Sequence, residues 1–208
     1  MSPRPVAAER AYGLLKGDVL SGRFAPGSTV IERIMAEEYG VSVSPFRDAA
    51  QRLVGEEFLE IGTGGGYRVP AISADSLLDL YHWHSHLVRL ILKVQKPVQA
   101  MPASSAGISP VDLAQVPLAM TNCFRTLAKA APNREYARAL RLATDRLYVA
   151  RLHEGGVLTN LGSELQMVEA ATASGAGLDR YEILWAYHRR RIRRVGRIAD
   201  LINSAKNR

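Results

Sequence analysis

The chain has one cysteine, Cys123, in 208 residues. No disulfide can close within it and no cysteine cluster can hold zinc. A reducing cytoplasm is its natural setting. No run of about 18 apolar residues occurs, so no membrane-spanning helix is expected. The opening MSPRPVAAER lacks the apolar core of a signal peptide. Aromatic residues make up only 7%. No Ser-His-Asp order, Walker loop or His-Glu-x-x-His motif appears. The stretch GTGGGY is glycine-rich like a nucleotide loop, but it lies between two short strand-like runs and opens no helix. Neither an enzyme nor a cofactor is therefore expected.

What is present is a core-forming composition, 47% hydrophobic, in a length that suits one large or two modest domains. The net charge of +7 is unevenly placed. Residues 1–72 carry eight Lys or Arg against nine Asp or Glu. The last 21 residues carry eight basic residues against one acid. Basicity is thus a property of one terminal helix, with a solvated face as its ordinary role, and does not argue that the N-terminal half binds nucleic acid.

The first 72 residues read as three helices and a hairpin. Ala8, Ala11, Tyr12, Leu15, Val19 and Leu20 share one helical face. Pro26 and Gly27 then break the pattern. ERIMAEEY is a second, short helix, with Gly40 as its stop. Ser44 suits an N-cap, with Pro45 at the first helical position. The third helix follows, with Phe46, Ala49, Ala50 and Leu53 facing inward. FLEIG, TGGG and YRVP read as strand, turn and strand. This order describes a winged helix-turn-helix, or more plainly a small helical domain with a hairpin.

After Pro70 no strand pattern appears. Ser73 caps a long predicted helix, KPVQAMPASSAGISP reads as a loop, and the chain is helical from Val111 on. Breaks are expected at Pro132, Gly155–Gly156 and ASGAG. The fold class is mainly α: a winged helix-turn-helix over 1–72 and an all-α bundle of five or six helices over 73–208.

The stretch from Leu15 to Pro70 resembles the N-terminal domain of GntR-family transcriptional regulators. The resemblance rests on G-x-x-x-P-G-S, A-E-x-x-G-V-S, S-P-F-R-D-A and a closing G-Y-x-V. It implies a homodimer that binds a double-stranded DNA operator, with repression as the expected sign. By the same resemblance Arg33, Ser42, Ser44 and Arg47 stand at DNA-contact positions, and Thr63, Gly64 and Gly65 form the wing tip. An arginine at the start of a recognition helix can grip a guanine edge or a phosphate; surface ion pairing is the plainer role for Arg33 and Arg47. One departure is Val43, where the family usually places an arginine.

The helical remainder resembles the FCD effector domain of the FadR-like branch, whose members often hold a metal with one aspartate and three histidines. Here Thr121, Arg125 and Leu165 stand at three of those positions, and only His188 matches. No bound metal is expected. The resemblance points instead to a small carboxylate effector held by Arg125, with His84 and His188 assisting. The alternatives are a bundle that only dimerises and, further off, a helical metalloprotein. LYHWHSHLV contains three histidines, but His82 and His86 share a face four residues apart and His84 points elsewhere. One ion cannot take all three, and surface or dimer-interface roles are expected for His82 and His86.

Overall fold

The computed structural model describes residues 3–95, 112–173 and 179–204. The chain divides into two compact units: one runs to Ile72 and is joined by the chain's end from Ile202, and the other runs from Ser73 to Leu201.

In the first unit, α1 (Pro3–Leu20), α2 (Glu32–Glu38) and α3 (Val43–Gly55) surround a small core. α1 packs on α3, and α3 on α2. Ala11, Leu15 and Val19 are buried on α1; Phe46, Ala49, Ala50 and Leu53 are buried on α3. Gly40 stops α2 with φ +64, a conformation that costs glycine nothing. α3 and its cap both begin two residues earlier than expected from sequence. Ser42, in extended backbone, is the N-cap, and the Phe46 N–H closes the first turn on the Ser42 carbonyl at 3.4 Å. Pro45 is thereby the third helical residue, still within the turn where a missing N–H leaves no intrahelical bond unmade.

Two-residue strands β2 (Glu60–Ile61) and β3 (Tyr67–Arg68) pair antiparallel, with Glu60 opposite Arg68. The turn closes by Gly65 N–H donating to the Gly62 carbonyl at 2.9 Å, with Gly65 and Gly66 at φ +84 and +73. β1 (Thr29–Val30), absent from the sequence reading, pairs with β3 on its other side, giving the order β1-β3-β2.

The second unit contains helices and no strand among its described residues. α4 (Ala74–Val94) opens on a capping box: Ser73 Oγ accepts from the Ser76 N–H at 3.0 Å, and Ser76 Oγ accepts from the Ser73 N–H at 3.1 Å. Leu77, Leu80, Tyr81, His84, Leu87, Val88, Ile91 and Leu92 are buried at helical spacing. α4 packs on α5 (Val116–Lys129), α6 (Arg134–Arg146) and α9 (Asp179–Ile192). α7 (Tyr148–His153), a 3-10 turn over Glu154–Gly156 and α8 (Leu161–Thr172) lie between α6 and α9 in sequence, and α10 (Val195–Ser204) follows α9. The terminal basic stretch is thus two helices, broken at Arg193–Arg194. The expected loop over 96–110 and most of ASGAG lie outside the described residues.

Candidate functional site

The start of α3 and the hairpin tip form the first candidate surface. Ser42, Ser44, Arg47, Arg33, Thr63, Gly64 and Gly65 are all exposed, while Val43 is half-buried. Arg47 is 62% exposed and its Nε donates to Glu32 Oε2 at 2.6 Å. The contact joins α3 to the first residue of α2, and holds the Arg47 guanidinium more firmly protonated. An exposed pair of this kind contributes little to stability, so the arginine is available to a stronger anion.

The helices behind this surface are tied by polar contacts. Tyr39, just past α2, donates to Asp18 at 2.6 Å, and Arg23 bridges Asp18 and Glu38. Glu56, just past α3, accepts from Tyr12 and Lys16 of α1, and Arg52 lies over the Tyr12 ring at 3.6 Å. These contacts hold the helices together while Ser44 and Arg47, near the start of α3, face solvent.

The second candidate is a polar network inside the helical unit. His84 and His188 are buried and meet, His84 Nδ1 to His188 Nε2 at 2.7 Å. Their proton positions follow from their partners. His188 Nδ1 must donate to the Leu184 carbonyl at 2.6 Å, so Nε2 of the neutral ring accepts from His84. His84 Nε2 in turn accepts from Thr144 Oγ1 at 3.0 Å. Burial pushes His188 down to about 3. Burial and the neighbouring His188, Arg151 and Arg191 hold His84 well below its ordinary value. Both rings are therefore neutral near pH 7.

Two arginines unmentioned by the sequence reading lie beside them. Arg191 is fully buried and carries two carboxylates, Glu154 at 2.7 Å and Glu164 at 2.8 Å. Burial alone would raise the Glu154 carboxyl, but Arg191 outweighs it and holds the group below the usual range. Tyr81 also donates to Glu154 at 2.9 Å. Arg151 is different. It donates only to neutral acceptors: Thr121 Oγ1 at 2.9 Å, the Thr144 carbonyl at 2.8 Å and the Tyr187 hydroxyl at 3.1 Å. Its Nη2 is buried with no hydrogen-bond partner. Among the described residues no carboxylate forms an ion pair with it.

Arg125 is placed elsewhere. Its Nε and Nη2 donate to Asp145 Oδ1 at 2.9 and 2.7 Å, and no hydrogen bond joins it to either histidine. The donors do not fit a divalent ion: Thr121 is engaged by a guanidinium, His188 by His84, and Leu165 offers no ligand atom. His82 and His86 are exposed, with His86 Nδ1 donating to the His82 carbonyl at 2.7 Å. Helical phase is the one sequence signal that points to Arg191, and none points to Arg151. Arg191 continues the spacing of Leu184, Tyr187 and His188, but its place in a run of three arginines reads as a solvated face.

Residues 7–69 match the family described as bacterial regulatory proteins, gntR family. The match lies within the first unit and covers under a third of the chain. The HTH-type transcriptional repressor GlaR of Escherichia coli K12 is 28% identical over 83 residues, 40% of this chain and 38% of that protein. The HTH-type transcriptional regulator McbR of the same organism is 24% identical over 102 residues, 49% of this chain and 42% of its own. The chain spans about two fifths of the length of the curated relatives it matches. Among solved structures, a GntR protein from Rhodococcus sp. RHA1 aligns over 90% of this chain and 96% of its own with a TM-score of 0.63 at 15% identity. E. coli McbR/YncC aligns over 91% and 96% with a TM-score of 0.52 at 17% identity. At these identities the likeness is one of fold alone.

Proposed function

We infer that the protein is a homodimeric transcriptional regulator that binds a double-stranded DNA operator through α3 and the β2–β3 hairpin. The observation that carries this reading is the exposure of Ser44 and Arg47 near the start of α3, in a chain whose residues 7–69 match the GntR family. The α3 start would read base edges in the major groove, and the tip at Thr63, Gly64 and Gly65 would approach the backbone. Arg33 would add a contact from α2. Repression is the proposed sign, in keeping with the name of the relative GlaR. A DNA regulator of this kind works in the cytoplasm.

A dimer is supported by an apolar face on the helical unit. Trp83, Leu90 and Val94 on α4 and Tyr181 and Trp185 on α9 are exposed, and these two helices pack together. Aromatic residues of this kind are enriched at interface cores. Two copies related by a two-fold axis would meet two related half-sites.

A small carboxylate effector is proposed in the polar core. Its anchor is Arg151 in place of Arg125, because this buried guanidinium makes no direct ion pair and its Nη2 has no hydrogen-bond partner. His84 and His188 would flank it. Carboxylic acids should raise the melting temperature of the full chain by mass action. Failure of every acid tested would leave the second reading, a bundle that only dimerises. DNA binding is tested separately by fluorescence anisotropy with selected genomic fragments.

A further inference from the structure

A cleft of about 270 Å³ lies between α5 and α6, distinct from the buried histidine network. Five basic side chains line it: Arg125 and Lys129 of α5, and Arg134, Arg138 and Arg141 of α6. Ala128 and Ala137 complete the wall, and no acidic side chain lines it. Arg125 is oriented from behind by Asp145, whose side chain is only 6% exposed. The other four make no ion pair or hydrogen bond among the described residues. Arginines elsewhere, including Arg23, Arg47, Arg52, Arg68 and Arg191, hold carboxylates.

The spacing makes this more than a count of charges. Arg125 and Lys129 are four residues apart on one helix; Arg134 and Arg138 are four apart and Arg138 and Arg141 three apart on the next. Each is a like-charge pair at a spacing that puts side chains side by side, which disfavours the helix. Three such pairs converge on one cleft with no built-in counter-charge. The small alanine side chains leave the cleft open between the cations.

We propose that this cleft binds a di- or triphosphate group. A single carboxylate would satisfy one guanidinium; several cations around one small volume match a compact polyvalent anion. Guanidinium groups pair with phosphate oxygens two at a time, and lysine adds a point charge. The phosphate chain can belong to a free polyphosphate or to a nucleotide, and the cleft chemistry is the same for both.

The test is calorimetry on the full chain with sodium tripolyphosphate, ATP and a short DNA duplex of arbitrary sequence, at about 0.15 M ionic strength where weak surface attraction is screened. Arg138→Gln/Arg141→Gln is compared with Arg193→Gln/Arg194→Gln, which removes equal charge elsewhere. All four positions are exposed, and circular dichroism confirms that both variants fold. Tripolyphosphate should bind the parent, and the cleft variant should lose on the order of tenfold or more in affinity, with the control variant unchanged. ATP binding tighter than tripolyphosphate assigns the source to a nucleotide; equal binding assigns it to the phosphate chain alone. No binding of either, equal weakening in both variants, or a cleft-dependent loss seen only with duplex DNA would overturn the proposal.

Discussion

Arg191 and Arg151 lie in the same helical unit, yet their surroundings differ in kind. Arg191 neutralises Glu154 and Glu164, so removing one member strands a charge away from water. Glu154→Gln or Arg191→Leu should each cost about 3–5 kcal/mol in urea unfolding; a loss near zero would show that the pair is solvated. The histidines give a second test at this scale. His188 falls to about 3 and His84 also falls, both from burial. The unfolded chain therefore takes up protons that the folded chain refuses. Stability is full above the unfolded histidine pKa near 6.5 and declines as pH falls below it. The slope is about 1.4 kcal/mol per pH unit for each histidine. Urea unfolding at pH 7.5, 6.5 and 5.5 measures this, and a flat profile would contradict the buried pair. These residues were the least legible in the sequence. His84 was singled out, but only through a family position. Arg191 was hidden among identical neighbours, and Arg151 among the residues of a short helix. A charged side chain gains a buried role from partners distant in sequence, and those partners leave no local pattern.

Elements were easier to read than side-chain partnerships, because periodicity and end signals are local. Ser73 stood out as a cap, and the capping box with Ser76 follows. Ser73→Ala should cost about 1 kcal/mol in thermal or urea unfolding. Gly40 as a stop and the buried face of α3 were equally clear. β1 was not: Thr29–Val30 is two residues long in a turn-rich stretch, and its strand character comes from pairing with β3. The start of α3 was misplaced because Ser42 and Ser44 are both good caps; the Phe46 hydrogen bond to Ser42 decides between them. The proposed DNA contact of α3 can be tested at one residue. Arg47→Ala should weaken operator binding by about 1–3 kcal/mol in fluorescence anisotropy and relax preference at one base position. An unchanged affinity would return Arg47 to its exposed pair with Glu32.

At the scale of the whole molecule, the two-part organisation was visible as a change of pattern after Pro70. The exposed aromatic faces were not, because Trp83 and Trp185 lie on helices whose other sides are core. Trp83→Glu/Trp185→Glu should convert a dimer to a folded monomer in analytical ultracentrifugation. A variant that stays dimeric would move the interface elsewhere. The account as a whole depends on selective recognition of DNA by the first unit. The most direct measurement is sequencing of genomic fragments captured by the purified full chain, in parallel with Arg47→Ala. The account predicts a shared site of two related half-sites in two-fold arrangement, with enrichment lost in the variant. Captured fragments without a common site, or enrichment indifferent to Arg47, would contradict it.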